Sequence, residues 1–270
     1  VAVRRQRQMC IRDRINKTIY QNAYVRTDSY FDNSPLASSG LPSKNELELL
    51  NVWKDEIPAE VFTETFAPPI TDGSGNDRKN LLKAKEILEK EGWFVEDGKL
   101  VKDGKEFKFE FLIVSPSDEK IALAYQSNLK KLGITMDVRT VDSSQYQERL
   151  LSYDFDMIKR YWGVSLSPGN EQQFYWGSEV GQKDGSRNYP GINSPAVDAL
   201  IEKLISATNR EELTTAIHAL DRVLLWGHYV VPLYHSNKDR IAYWDFFEYP
   251  DEIPLYGIVI ESWWINKDKQ

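Results

Sequence analysis

EFKFEFLIV (106–114), SDEKIALAYQSNLKKLG (117–133), ITMDVRTV (134–141), SSQYQERLLS (143–152) and FDMIKRYW (155–162) follow one another with almost nothing between them. The first alternates, placing Phe107, Phe109, Phe111 and Ile113 on one face of a strand. The second reads as a helix closed by Gly133, the third as a strand, the fourth as a helix and the fifth as a third strand. Strand-helix-strand-helix-strand with short connections predicts an α/β fold with a parallel sheet and right-handed crossovers. In such sheets ligands sit beyond the carboxyl ends of the strands. The expected site therefore lies where Tyr161-Trp162-Gly163 opens into a polar loop.

Downstream, residues 163–193 are rich in Gly, Ser and Asn and read as loop. A helix is expected over 195–207, with Ser194 as N-cap and Pro195 at its first position. Another is expected over 210–228, with Asn209 as N-cap, a stripe of Leu213, Ile217, Leu220 and Leu224, and Trp226 in the core. VVPLY (230–234), DRIAYW (239–244) and YGIVIESWW (256–264) are strand-like. Upstream, Leu81, Leu82, Ala84, Ile87 and Leu88 form the apolar stripe of a helix over 78–91, ended by Gly92. The turns EDGK and KDGK frame short strands near 93–95 and 99–102. TDGSGND (71–77) reads as a loop. Before it, Pro35, Pro42, Pro58, Pro68 and Pro69 break the chain into irregular structure, apart from a helix at 43–51 where Ser43 and Glu46 have capping-box spacing.

The 270 residues are 41% hydrophobic and 28% charged, ordinary values for a folded chain, and no run approaches the roughly 18 apolar residues of a membrane span. A net charge of −7 argues against nucleic acid as a partner. The first fourteen residues, VAVRRQRQMCIRDR, hold five Arg against one Asp, so the remainder is more acidic still. QMCIRDR resembles translated sequencing-adapter read-through. Residues 1–14 are expected to be artefact or disordered, with the true chain beginning near Ile15 and truncated at its N-terminus. Cys10 is the only cysteine, so the body of the chain excludes disulfides, thiol catalysis and cysteine-ligated zinc.

Catalytic motifs are lacking: there is no HExxH, no nucleophile elbow and no phosphate-binding loop. His218, His228 and His235 share no metal-ligand spacing, and His218 and His228 read as finishing helix surfaces. No metal or cofactor is expected. Asp154, Asp156, Glu171 and Glu261 could supply a glycosidase pair with the aromatics as sugar platforms, which makes a carbohydrate-active hydrolase the enzymatic alternative. A stand-alone structural lobe is a third reading.

FDMIKRYWGVSLSPGNEQQFYWGS (155–178), SRNYPGINSPAVDALIEKLISATNREEL (186–213) and LDRVLLWGHYVVPLY (220–234) resemble the family 5 extracellular solute-binding proteins, the periplasmic oligopeptide- and dipeptide-binding components of ABC importers. RTDSYFDNSPLASSGLPS (26–43), FAPPITDGSGNDR (66–78) and SPGNEQ (167–172) look most like its YejA-like branch, associated with peptides and peptide-derived compounds. The resemblance implies a two-lobed, type II periplasmic-binding-protein clamshell of which this chain holds the C-terminal half. Residues 15–229 would form the second lobe. Residues 230–270 would cross the hinge and supply strands that complete the first. It further implies a periplasmic, monomeric, non-enzymatic protein whose partners are a peptide or modified-peptide ligand and the permease subunits of the importer, with only peripheral contact with the inner-membrane complex.

In many relatives the region matching 159–168 carries an Arg, a Trp that packs on the peptide and an Asp that pairs with its α-amino group. Here Lys159, Trp162 and Ser165 stand in register. A hydroxyl is a weaker amine anchor than a carboxylate, so modified or blocked peptides enter the range of expected ligands, with Glu171 as a substitute charge. From the residues themselves, Tyr161 and Trp162 can form an aromatic wall. Ser165, Asn170 and Gln172 can pair with peptide backbone, and Lys159, Arg160 and Arg187 can meet a carboxylate. Trp162 reads equally well as lobe core. Arg26 and Tyr30 are further candidates in a segment with no regular pattern.

Overall fold

The computed structural model describes residues 12–69, 78–254 and 257–269. Residues 1–11 and the expected loop at 71–77 lie outside them. The helices among the described residues are α1 (Arg12–Thr18), α2 (Lys44–Leu50), α3 (Glu60–Thr63), α4 (Arg78–Lys90), α5 (Pro116–Lys130), α6 (Ser143–Leu151), α7 (Glu171–Trp176), α8 (Pro195–Ile205) and α9 (Arg210–Trp226). The strands are β1 (Val25–Arg26), β2 (Phe94–Glu96), β3 (Lys99–Lys102), β4 (Lys105–Glu106), β5 (Lys108–Ile113), β6 (Thr135–Thr140), β7 (Met157–Ile158), β8 (Tyr234–His235), β9 (Phe247–Glu248) and β10 (Trp264–Ile265).

The stretch 106–158 folds as the alternation of elements predicts. β5 is the centre of a parallel sheet ordered β6-β5-β7. Its register with β6 runs from Lys108↔Thr135 to Ile113↔Thr140, and with β7 it pairs Phe111↔Met157 and Leu112↔Ile158. The third strand, expected over 155–162, is only two residues long. Its ladder runs out near the end of β5, and the Lys159 side chain turns to an ion pair with Asp118. Local chemistry sets the helix starts. Ser115 caps α5 through the Ser117 N–H, with Pro116 in the first turn, and Asp142 caps α6 through the N–H groups of Ser144 and Gln145.

Phe111, Leu112 and Ile113 are all buried, because helices cover both faces of the sheet. Phe111 and Ile113 pack with Ile121, Tyr125 and Leu129 of α5 and with Leu88 and Ile15. Leu112 packs on the other face with Val141, Tyr146 and Leu150. Ile15 belongs to α1, whose first turn includes residues 12–14.

The β2-β3-β4 meander is made by two Asp-Gly turns, Asp97-Gly98 and Asp103-Gly104, all four residues with positive φ. That is the type I′ geometry whose twist matches a hairpin. The Leu100 N–H then donates to the Gly133 carbonyl at 2.7 Å, docking the meander on the α5–β6 connection.

A second core gathers α8 and α9 with α2, α3 and the loops around Phe31, Leu36 and Ile192, and includes Trp176 and Trp226. The capping box on α2 is complete, with the Ser43 side chain accepting from the Glu46 N–H and the Glu46 side chain from the Ser43 N–H. Asn209 and Ser194 cap α9 and α8 as expected. The histidines depart from expectation. His228 is buried, and His218 lies against Glu46 and the Pro35 carbonyl.

Strand-like sequence after residue 230 forms little strand. β8 pairs with β1 through Val25↔His235 and Arg26↔Tyr234, and β9 with β10 through Glu248↔Trp264 and Phe247↔Ile265. DRIAYW (239–244) is irregular. Alternation makes a ladder only where a partner strand lies alongside, and no strand among the described residues flanks this segment. Here Tyr243, Trp244, Ile253, Ile260 and Trp264 are exposed.

Candidate functional site

The carboxyl ends of β5 and β7 open on a cluster assembled from four segments. α5 starts just past β5 and places Asp118 in its first turn. The chain leaving β7 supplies Lys159 to Trp162. The loop before α8 supplies Arg187 and Tyr189, and α7 supplies Phe174 and Trp176.

An aromatic floor runs through the cluster. Trp162 is half-buried, its ring 5.0 Å from Trp176 and 6.5 Å from Tyr189. Tyr30 meets the other side of Trp176 edge-on at 5.0 Å. Trp162 thus belongs both to the rim of the second core and to the site. Its indole Nε1 is buried with no acceptor among the described residues. Tyr161 is 90% exposed and takes no part in this floor.

The polar candidates are engaged to very different degrees. The Lys159 ammonium is neutralised by Asp118, and the Lys159 carbonyl accepts from the Tyr146 hydroxyl at 3.4 Å. Burial pushes the Tyr146 phenol up, partly offset by the nearby Arg160 charge. The Ser165 hydroxyl accepts from the Ser167 N–H at 3.2 Å, holding a turn. Both Glu171 oxygens accept from the Gly169 N–H at 3.0 Å, so this carboxylate ties its own loop at the start of α7. Gln172 is 1% exposed, its carboxamide oxygen accepting from the Trp176 indole N–H at 3.0 Å. Burial removes Gln172 from ligand reach. Asn170 is exposed at the N-cap position of α7 and makes no capping bond.

Arg160 and Arg187 differ from the rest. The Arg160 guanidinium lies 4.9 Å from the centre of the Tyr189 ring and donates to its hydroxyl at 3.3 Å. Arg187 lies 5.8 Å from the centre of the Phe174 ring. Both are exposed, and neither has a carboxylate within ion-pair distance among the described residues. Arg26 is committed elsewhere, to the carbonyls of Pro68 and Pro69.

Asp118, Tyr146, Phe174 and Tyr189 were not singled out in the sequence. Asp118 had a usable signal, since the first helical turn after a parallel strand borders the site by topology. The other three become partners only through packing.

Of the carboxylates of the hydrolase alternative, Glu261 lies in a turn at 260–262 and the other three are engaged. Asp154 pairs with Arg149, Asp156 accepts from the Glu110 N–H ahead of β7, and Glu171 ties its loop. Among the described residues no group of three His, Cys, Asp or Glu side chains is placed to hold a metal ion, and no helix is long and apolar enough to cross a membrane.

Known proteins resemble this chain. Protein y4wM of Sinorhizobium fredii is 49% identical over 255 residues, which cover 93% of this chain and 38% of that protein. The "Probable peptide-binding protein YejA" of Agrobacterium fabrum is 42% identical over 258 residues, 94% of this chain and 42% of its own. The chain therefore spans about two fifths of the length of these curated relatives. Among solved structures, the oligopeptide-binding protein AppA of Bacillus subtilis, in complex with a nonapeptide, superposes with a TM-score of 0.65 at 21% identity, over 99% of this chain and 48% of AppA. That likeness shows the fold, an α/β lobe of the type II periplasmic-binding-protein kind. The model of the bacterial extracellular solute-binding proteins, family 5 Middle, matches residues 11–184, more than half the chain. By this match the chain belongs to family 5 of the bacterial extracellular solute-binding proteins.

Proposed function

We propose that this chain is the ligand-gripping second lobe, with part of the first, of the periplasmic substrate-binding component of an ABC importer for peptides or peptide-derived compounds. The aromatic floor at the carboxyl ends of the parallel strands carries the reading. Trp162 and Tyr189, both half-buried, offer apolar faces to a peptide, with the buried Trp176 backing Trp162, and Ser165, Asn170, Arg160 and Arg187 stand around them with exposed polar groups. A peptide lying there would be held, released on lobe opening and left chemically unchanged, and the permease would distinguish the closed state only if the ligand stabilises it.

Residues 230–270 would complete the other lobe. The exposed Tyr243, Trp244, Ile260 and Trp264 support this, as does a small apolar cleft between Tyr243, Tyr249, Pro254 and Trp263. Such a density of exposed aromatics fits a surface that has a partner.

Titration of the chain with short peptides tests the reading. With one lobe supplying about half the contacts, binding is expected to be weak and confined to the floor residues. Submicromolar affinity would overturn the division into half-sites, and turnover of model glycosides would overturn the non-catalytic reading.

A further inference from the structure

The charge at the site does not cancel. Of Lys159, Arg160 and Arg187 around the aromatic floor, only Lys159 has a counter-ion among the described residues, Asp118. The nearby carboxylate that could balance the others, Glu171, is turned onto the Gly169 N–H. Ser165 is neutral, and its hydroxyl accepts from the Ser167 N–H. Among the described residues Arg160 and Arg187 have no carboxylate within ion-pair distance, in a chain whose net charge is −7. Each guanidinium is laid over a ring, Tyr189 and Phe174. Stacking orients a guanidinium without consuming its hydrogen-bond donors. Among the described residues the rim thus presents two oriented cations with no paired carboxylate, while Asp118 and Glu171 are both engaged.

We propose that the site selects acidic peptides, those carrying a side-chain carboxylate in addition to their C-terminus, through Arg160 and Arg187, and that it does not read a free α-amino group. This rests on the peptide-binding reading above and adds the ligand class. A carboxylate meeting a planar guanidinium can form two parallel hydrogen bonds. An ammonium at the same rim meets two like charges, with Asp118 already paired.

The test is a set of NMR titrations of the whole chain with Ala-Glu-Ala, Ala-Gln-Ala, Ala-Lys-Ala and N-acetyl-Ala-Glu-Ala, at peptide concentrations into the millimolar range. The expected order is Glu over Gln over Lys, with about tenfold between the extremes, the scale of a charge-assisted hydrogen bond at a partly exposed site. Acetylation leaves the affinity unchanged. Arg160→Gln with Arg187→Gln removes the order, and the paired Arg→Lys variant keeps most of it. Equal affinity for the Glu and Lys peptides, or loss of binding on acetylation, overturns the acidic-peptide assignment and leaves the peptide-binding reading standing. No site-localised shift with any of the four overturns both.

Discussion

Arg222 Nε donates to Glu46 Oε2 at 2.6 Å across 176 residues of sequence, with both side chains about 95% buried. The same guanidinium donates to the carbonyls of Ser39, Gly40 and Leu41. One arginine on α9 thereby fixes the end of an irregular segment and the start of α2. Removing it strands a buried carboxylate, so Arg222→Ala should cost about 3–5 kcal/mol. Urea unfolding would measure this; a loss below about 1 kcal/mol, the scale of an exposed pair, would contradict it.

The pair also sets a pH dependence. Burial alone would raise the Glu46 pKa, but hydrogen bonds from His218 and Arg222 and the Arg222 charge outweigh it and hold the carboxyl at about 2. A depressed carboxyl contributes stability that is complete above its ordinary 4.5 and lost as pH falls toward 2. Across the pair, the hydrogen bond to Glu46 lifts His218 above 6.5 against the opposing effect of burial. A raised histidine contributes stability that is present below 6.5 and fades as pH climbs through the raised value. Thermal melts at a series of pH values should show both limbs, with Glu46→Gln flattening the acid limb and His218→Asn the neutral one.

Asp221, next along α9, is fully buried and accepts from the Ser29 hydroxyl, the Tyr30 N–H and both the N–H and hydroxyl of Ser38. Burial raises its pKa, and these donors pull it back only in part. Asp221→Asn points an amide NH2 at groups that donate, and Asp221→Ala leaves several donors unmet. Losses of about 2–4 kcal/mol are expected for both, from the desolvation cost of unpaired buried groups. Retention of wild-type stability by the Asn variant would refute the donor assignment.

Gly133 has φ +76°, and a Cβ there would stand 2.8 Å from the Leu100 backbone nitrogen. Because backbone cannot yield as a flexible side chain does, Gly133→Ala should destabilise by about 1 kcal/mol or more. The meander amides around Leu100 should lose hydrogen-exchange protection first. A neutral substitution would mean the meander docks by other contacts.

Lys159→Met would release the Asp118 carboxylate into the site. The expected outcome is a narrowed gap between acidic and basic peptides in the titrations above, with the fold intact. An unchanged gap would show that Asp118 does not face the ligand.

Much of the architecture was legible in residues 106–158. Alternation, helical stripes and capping residues act over a few positions, and a parallel sheet follows from their order. The boundaries of α2, α8 and α9 were legible for the same reason, since Ser43, Ser194 and Asn209 cap through bonds to residues three positions away. The short third strand was not legible, because its length depends on where β5 ends beside it. Neither was the failure of 239–244 to form a ladder, because strand sequence is realised only against a neighbour.

The site divides along the same line. The sequence by itself determined the parallel α/β order and put Trp162, Arg160 and Arg187 among the residues of the proposed site. Only the tertiary structure decided which of these residues are free. Lys159 is taken by a residue 41 positions earlier, Glu171 and Ser165 by their own turns, Gln172 by the core, Arg160 by the ring and hydroxyl of Tyr189 and Arg187 by the Phe174 ring. Charge and hydrogen-bonding capacity are written in residue types, whereas availability depends on who stands within about 3 Å, and folding sets that distance.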